Sequence, residues 1–257
     1  MSNHDGRWPH GTPCWVDFMA GDLDRTHRFY TALFGWAYEE SMDEFGGYHN
    51  ALLDGRRVAG LSPTMPGMED APKVWTVYLA TDDIQATADA VVANGGQVVS
   101  APMQVAEFGS MAVFTDPVGD LFGAWQAGTH QGFSAVDEHG TPLWMDLMSR
   151  DLEAAKDFYA KVFGYTYSDV SEEGMTYVMF EVPGGDRPAG GIGLLDDKGT
   201  AGWTVCFQVD DVDATAAAVE PAGGTVSGEV EDTTYGRIAT VAGPDAETVY
   251  LMTPKPM

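Results

Sequence analysis

Short apolar runs that alternate with polar residues predict β-strands along the chain. Some of these strands are followed directly by a predicted amphipathic helix. The run WVDFMA at 15–20 leads to Asp22, which predicts a helix N-cap, and apolar residues at helical spacing continue to Gly35. After the helix the chain returns to short β-type runs separated by turns rich in glycine and aspartate. Each such stretch is therefore predicted to form a β-α-β-β-β unit.

This organisation is repeated along the chain. Residues 11–36 and 140–165 are identical at 12 of 26 aligned positions. Residues 75–98 and 203–226 are identical at 13 of 24. Chance agreement would give only one or two matches in such windows, roughly, so the pattern indicates a duplication.

Two domains follow from the duplication. We predict an N-terminal domain at 1–127, a connecting segment at 128–138 that is rich in glycine and polar residues, and a C-terminal domain at 139–257. Within each domain a weaker repeat relates two Trp-containing runs, so the chain holds four β-α-β-β-β units. The predicted fold class is α+β, with curved mixed sheets and helices packed outside them.

Composition excludes several kinds of partner. The chain has 39 acidic and 13 basic side chains, a formal charge of -26, which disfavours nucleic acids and anionic membranes. No apolar stretch approaches the ~18 residues of a membrane span, and the N-terminus lacks the apolar run of a signal peptide, so we expect a cytoplasmic protein. Cys14 and Cys206 show no metal-type spacing, and both are predicted to pack on the helix side of their strands.

The helix motif Phe-Tyr-x-x-x-Phe-Gly, at 29–35 and 158–164, resembles the vicinal-oxygen-chelate superfamily, which contains glyoxalases, bleomycin-resistance proteins and extradiol dioxygenases. The Asp-Pro-x-Gly-Asp turn at 116–120 is similar to that family's pattern. The Gly-Thr-Pro-x-Trp that opens each half looks like a tandem-domain actinobacterial branch of glyoxalase-like proteins. The resemblance implies two tandem vicinal-oxygen-chelate domains, in each of which two βαβββ units form a cup-shaped mixed sheet with helices outside.

The resemblance also implies a metal site, and the residues at the corresponding positions depart from it. Metal-binding members carry ligands on the first strand of each unit, seven residues before the helix-start Asp, and on the last strand. In this chain the first-strand positions hold tryptophans, and the last-strand positions hold Gly123 and Tyr250. An indole offers only an N–H donor and cannot hold a divalent ion, so we expect no metal and no other cofactor. The first-strand positions are occupied by Trp15, Trp75, Trp144 and Trp203.

Strand alternation places these tryptophans on the inner face of each cup, together with neighbouring apolar side chains. Aromatic walls favour a small aromatic ligand, and indole faces on an acidic protein favour a cationic one. The alternative is that the tryptophans simply fill the cups. The predicted ligand-binding residues are Trp15, Met19, Trp75, Trp125, Trp144, Met148, Trp203 and Tyr250.

Asp17 and Asp146 are the candidate catalytic residues. Each lies between an inward Trp and an inward Met, where desolvation should raise the carboxyl pKa toward the range of a general acid or base. The alternative is a structural carboxylate that accepts hydrogen bonds from a neighbouring indole or from the strand backbone.

Two functions are consistent with these residues. One is a metal-independent tailoring enzyme of the lyase, isomerase or hydroxylase type that acts on an aromatic, natural-product-type metabolite. The other is a non-catalytic, drug-sequestering binding protein of the bleomycin-resistance type. The tryptophans at the ligand positions disfavour a metal-dependent lyase or dioxygenase. In either case the partner is a small molecule, and the protein is a monomer or a homodimer.

Overall fold

Two eight-stranded mixed sheets form the protein, one from each half of the chain. The computed structural model describes residues 2–41, 43–196 and 199–255. A separate antiparallel ribbon pairs β1 (Ser2–Asn3) with β10 (Ala135–Val136), and it ties the N-terminal arm to the connecting segment.

The first half contributes eight strands and two helices. These are β2 (Pro13–Ala20), α1 (Leu23–Phe34), β3 (Ala37–Tyr38), β4 (His49–Leu53), β5 (Arg56–Pro63), β6 (Trp75–Ala80), α2 (Ile84–Ala93), β7 (Gln97–Val105), β8 (Gly109–Thr115) and β9 (Leu121–Ala127). The strand order is β3-β4-β5-β2-β6-β9-β8-β7. The two β-α-β-β-β units therefore meet where β2 pairs antiparallel with β6.

The second half repeats this topology. Its elements are β11 (Pro142–Ser149), α3 (Leu152–Phe163), β12 (Thr166–Asp169), β13 (Tyr177–Glu181), β14 (Gly190–Leu194), β15 (Gly202–Gln208), α4 (Val212–Val219), β16 (Thr225–Asp232), β17 (Gly236–Ala242) and β18 (Thr248–Pro254). The order is β12-β13-β14-β11-β15-β18-β17-β16, and β11 pairs antiparallel with β15 at the junction of its units. The predicted α+β class and the tandem cups are confirmed.

Each helix begins behind an aspartate whose carboxylate accepts a hydrogen bond from a backbone N–H of the first turn. This satisfies one of the amides that a helix N-terminus leaves without a partner. Helix α1 ends at Gly35, whose φ of 72° lies in the left-handed region that glycine adopts without strain. Asp22 and Gly35 are the limits that the sequence predicts for this helix. The four N-caps are Asp22, Asp83, Asp151 and Asp211.

The helices lie between the two sheets, where α1 contacts α4 and α2 contacts α3. Aromatic rings join the halves into one core: Phe207 lies 4.9 Å from Phe34 and 5.7 Å from Trp75 between ring centroids. Each sheet thus has a helix face turned toward the other half and an opposite face, called here the cup face. No helix in the described parts of the chain is long and apolar enough to cross a membrane.

Two related tyrosines connect the halves. The Tyr30 hydroxyl donates to Glu247 Oε1 at 3.0 Å and accepts from the Trp75 indole at 3.0 Å. At the related position, the Tyr159 hydroxyl accepts from the Trp203 indole at 3.1 Å and hydrogen-bonds to Asp116 of the first half. Burial is the main cause that raises the pKa of Glu247 to about 7. The contact region between the two halves, called here the seam, therefore contains a carboxyl whose ionised form is disfavoured by burial.

Candidate ligand-binding site

Strand pairing decides on which face each tryptophan lies. On the antiparallel strands β2 and β6, Asp17 is opposite Thr76 and Phe18 is opposite Trp75. Directly opposed residues share a face of the sheet, so Trp75 lies with Phe18 on the helix face. Its indole packs there edge-on against Tyr30, with ring centroids 5.4 Å apart. The predicted placement of Trp75 in the cup is wrong.

The second half shows the same departure. Trp203 is opposite Leu147 and packs against Tyr159 on the helix face, at 5.7 Å between ring centroids. The predicted cup placement of Trp203 is therefore also wrong. Cys206, in contrast, is opposite Trp144 and lies on the cup face, not on the helix side as the sequence suggested.

A shift of one residue explains these errors. The helices after β6 and β15 are capped by Asp83 and Asp211, and an adjacent aspartate precedes each of them. Counting back seven residues from the observed caps leads to Thr76 and Thr204, not to the tryptophans. Because side chains alternate along a strand, a shift of one residue exchanges the two faces.

The cup face of the second sheet carries a hydrogen-bonded group around Asp146. The Tyr177 hydroxyl donates a hydrogen bond to Asp146 Oδ1. The Trp144 indole donates to the same oxygen at 3.1 Å and to the Tyr177 hydroxyl at 2.9 Å. Burial raises the pKa of Asp146 to about 6, and the two donors partly oppose this rise. The group can hold or accept a proton near neutral pH.

The cup face of the first sheet has a related group around Asp17. The hydroxyls of Tyr78 and Thr76 hydrogen-bond to its carboxyl, and burial raises its pKa to about 7. The Trp15 indole donates to the Tyr48 hydroxyl at 2.8 Å. The predicted rise in pKa is present at both aspartates. The indole donor of the structural alternative is found at Asp146, whereas at Asp17 the donors are the two hydroxyls.

Each cup pairs a tyrosine on one strand with a small residue on the neighbouring strand. The strand that carries the tyrosine differs between the two cups. In the first, Tyr78 is opposite Gly123, and a side chain at Gly123 would overlap the Tyr78 ring. In the second, the small residue Cys206 is opposite Tyr250. The tyrosine ring is thus supplied by β6 in one cup and by β18 in the other, with a small partner beside it in each case.

The first cup is covered by the chain itself. The His130 ring stands edge-on to Trp15 at 4.4 Å between centroids, and the Phe133 ring lies 5.7 Å from it. Trp8 of the N-terminal arm packs edge-on against Phe133 at 6.2 Å. We call His130, Phe133 and Trp8 the cover. Under it, Trp15 is 4% exposed and Trp125 is 7% exposed.

The second cup keeps its aromatic wall accessible. Trp144, Asp146, Tyr177 and Tyr250 are all half-buried. Met148, also half-buried, follows the same alternation on β11, as Met19 does on β2. Of the predicted site residues, those that share the second cup face are therefore Trp144, Asp146, Met148 and Tyr250, whereas Trp15, Asp17, Met19 and Trp125 share the first.

Neither cup fits a metal ion. Each has one carboxylate, which already accepts hydrogen bonds, and the neighbouring positions hold Trp, Thr, Tyr, Gly or Cys side chains. Divalent cations need several oxygen, nitrogen or thiolate ligands at one point. Among the described residues, no group of three or more His, Cys, Asp or Glu side chains is arranged to hold a metal ion.

The sequence offers the hydroxyls of Tyr48 and Tyr177 as possible ligand contacts but does not place them, and in the structure both lie at the cup floor. A signal for them exists in the glycines opposite the two aspartates, Gly60 and Gly191. A side chain at either glycine would overlap the tyrosine hydroxyl, so the backbone there must remain bare. The cover had no comparable signal, because its contacts are between segments far apart in the chain.

Comparison with known proteins agrees with this architecture. The model of the Glyoxalase/Bleomycin resistance protein/Dioxygenase superfamily matches residues 14–123 and 141–249. The chain is 38% identical over 252 residues to the putative glyoxylase CFP32 of Mycobacterium tuberculosis, covering 96% of each chain. It is 35% identical over 253 residues to the anthracycline biosynthesis protein DnrV of Streptomyces peucetius, covering 93% of this chain and 91% of that protein.

Solved structures show the same fold at low identity. The 2,2',3-trihydroxybiphenyl 1,2-dioxygenase of Sphingomonas wittichii has a TM-score of 0.66 at 15% identity, over 95% of this chain and 90% of that chain. The Mn(II)-bound glyoxalase of Novosphingobium aromaticivorans has a TM-score of 0.64 at 18% identity, over 96% and 83%. With two successive family matches on two successive cups, the chain belongs to the glyoxalase/bleomycin resistance protein/dioxygenase superfamily.

Proposed function

We propose that this protein binds a planar, hydroxylated aromatic metabolite in its second cup, and that it does so without a metal ion. The observation that carries the proposal is the difference in exposure. Trp144 is half-buried and accessible, whereas Trp15 at the related position is 4% exposed beneath the cover. A wall of Trp144, Tyr177 and Tyr250 offers flat apolar surfaces to a ring system.

Asp146 supplies the polar contact in this proposal. Its Oδ1 is engaged by Tyr177 and Trp144, and a ligand hydroxyl would donate to the remaining oxygen. Hydrogen bonds to an ionised acceptor are stronger than neutral ones. The carboxyl therefore favours a hydroxylated ring over a bare hydrocarbon, and the acidic surface adds a preference for a cationic substituent. The name of the relative DnrV, an anthracycline biosynthesis protein, is consistent with a polycyclic aromatic ligand.

Titration with 1,8-dihydroxyanthraquinone, followed by tryptophan fluorescence, tests the proposal. Trp144→Ala should weaken binding at least tenfold, because it removes the accessible indole. Asp146→Asn should weaken binding by a similar factor above pH 6, while Asp169→Asn, at an exposed acid on the same sheet, should leave it unchanged. Affinities for both site variants that equal the wild-type value would contradict the proposal.

The pH dependence is a second test of the same site. A carboxylate accepts a ligand hydrogen only when it is ionised, so affinity should rise as the pH increases through about 6 and then level off. Asp146→Asn should remove this rise, because an amide does not titrate. A wild-type affinity that does not change between pH 5 and pH 8 would argue against contact with Asp146.

Catalysis is the second candidate, and the pKa of about 6 at Asp146 is the observation that favours it. The carboxylate would take a proton from an acidic C–H or O–H of the ligand and return it at another atom of the same molecule, so the step balances without a co-reactant. Proton transfer by a positioned group contributes about 100- to 10,000-fold, and Asp146→Asn should reduce turnover accordingly. Recovery of unchanged ligand after prolonged incubation with the wild-type protein would favour the non-catalytic, sequestering alternative.

A further inference from the structure

The cover of the first cup resembles a bound aromatic ligand in its contacts. Two rings from the chain, His130 and Phe133, stand against Trp15 at 4.4 Å and 5.7 Å between centroids. The indole of Trp125 donates to the His130 carbonyl at 2.9 Å. The cup is therefore occupied by a pair of rings and one polar contact, the combination that a small aromatic ligand would supply.

Backbone hydrogen bonds outside the sheets attach the cover at both of its ends. The Gly128 and His130 amides donate to the Phe108 carbonyl at 2.8 Å and 3.1 Å, in the turn between β7 and β8. The Phe133 amide donates to the Cys14 carbonyl at 2.9 Å, and the Ser134 amide donates to the Arg57 carbonyl at 2.8 Å. Between Ala127 and the short strand β10, the connecting segment is neither helix nor strand. These bonds are isolated and do not form a strand ladder, and such segments open at lower free energy than strands of a sheet.

The packing of the cover leaves polar atoms without partners. Buried nitrogens at His130 Nε2, Trp8 Nε1 and His4 Nε2 have no hydrogen-bond partner in the part of the chain that the structure describes. Each of them loses its bonds to water when the cover closes, and this loss is not compensated. The closed arrangement therefore carries an uncompensated desolvation cost at these nitrogens.

The floor beneath the cover keeps the polar group of a binding cup. Asp17 with the hydroxyls of Thr76 and Tyr78 stands where Asp146 with Tyr177 stands in the second cup. Asp17 and Tyr48 remain half-buried, so the floor is not sealed by the cover. A cup that served only as packing would gain nothing from a carboxyl whose ionisation burial opposes.

We infer that the first cup is a second binding site for aromatic molecules of about two rings, and that the cover occupies it as an internal ligand. Displacement of His130 and Phe133 exposes Trp15, Trp125 and the Asp17 floor to a free ligand. The ligand class rests on the proposed function, whereas the existence of the masked site does not.

The experiment removes the cover and counts binding sites. His130→Ala combined with Phe133→Ala should leave room for two rings, and 2-naphthol is the probe. We expect one molecule of 2-naphthol per wild-type chain and two per chain of the double variant, by calorimetry. Thr129→Ala, at an exposed position of the connecting segment, is the matched control and should keep one site.

Dependence on Asp17 separates a masked site from an accidental cavity. In the double variant that also carries Trp144→Ala, one site should remain, and Asp17→Asn should lower its affinity for 2-naphthol about tenfold. The same Asp17→Asn substitution should not change the affinity for naphthalene, which lacks the hydroxyl. An extra site that treats both probes alike, with or without Asp17→Asn, would overturn the inference. If the double variant does not melt cooperatively, His130→Ala alone with phenol as the probe provides the same test.

The outcomes also separate this inference from the proposed function. A count that stays at one in a folded double variant means that the first cup is closed packing, while the second-cup proposal stands. A count of zero in the wild type and one in the double variant means that the second-cup proposal fails, while the masked site stands.

Discussion

The two cups have the same arrangement of polar residues at their floor and differ in the side chains that lie above it. Each floor has an aspartate opposite a glycine, with a tyrosine hydroxyl packed against that glycine. Above the floor, the first cup is closed by rings from distant parts of the chain, and the second keeps Trp144 and Tyr177 half-buried. A duplicated scaffold can thus preserve the polar floor while the surrounding chain decides whether a ligand reaches it.

The cups also differ in how they fill the same space. The pair Tyr78 and Gly123 becomes the pair Cys206 and Tyr250, so the ring moves to the adjacent strand while the small residue takes its former place. Close packing explains the exchange, because two large residues would overlap and two small ones would leave a cavity. Each strand pair therefore combines one tyrosine with one small residue, although neither position keeps its residue.

The largest expected difference between the cups is in stability. Trp15→Ala should lower the free energy of unfolding by about 3–5 kcal/mol, because it removes a ring that is 4% exposed beneath the cover and leaves a cavity there. Trp144→Ala removes a half-buried ring and should cost roughly 1–2 kcal/mol. Urea denaturation measures both values, and equal losses would contradict the assignment of a closed and an open cup.

The seam between the halves should respond to pH. Glu247 has a folded-state pKa raised from 4.5 to about 7, so the folded protein holds a proton that the unfolded chain loses. Stability from this group is complete below pH 4.5 and is lost as the pH rises through about 7, on the order of 3 kcal/mol in total. Glu247→Gln should remove this contribution, and a variant whose stability follows the wild-type pH profile would contradict it.

The exchanged pair can be tested by a double-mutant cycle. Cys206→Tyr places a second ring beside Tyr250 and should destabilise the protein by about 1–3 kcal/mol. Adding Tyr250→Gly recreates the arrangement of the first cup and should recover most of that loss, with a coupling energy of about 1 kcal/mol or more. Additive effects in thermal or urea unfolding would mean that the two positions do not share one volume.

The smallest effect is expected where the connecting segment is anchored. The Arg56 guanidinium donates to both carboxylate oxygens of Glu138, at 2.5 Å and 3.0 Å. Arg56→Gln should cost about 1 kcal/mol or less, and less at high salt, because the pair is partly exposed. Denaturation at 0.05 M and 0.5 M salt measures this. A loss above about 2 kcal/mol, or one that salt does not change, would show that the pair matters more than a surface contact.

Local sequence rules predicted the elements well where one residue decided them. Asp22 and Gly35 begin and end α1 because an N-cap carboxylate and a left-handed glycine act within a single turn. The same rules were wrong by one position at α2. Either of the adjacent residues Asp82 and Asp83 could be the N-cap, and in the structure it is Asp83. That shift alone put Trp75 on the wrong face of its strand, because alternation carries any error along the whole strand.

The sequence by itself determined the duplication, the α+β units, the superfamily and the presence of an aspartate with raised pKa on each first strand. The duplication, the units and the superfamily follow from residue identities at fixed spacing, and the raised pKa follows from the apolar neighbours of each aspartate. Both features can be read directly from the sequence. Only the tertiary structure decided which cup is open. His130 reaches Trp15 across more than a hundred residues, and contacts at such separation leave no periodic signal along the chain.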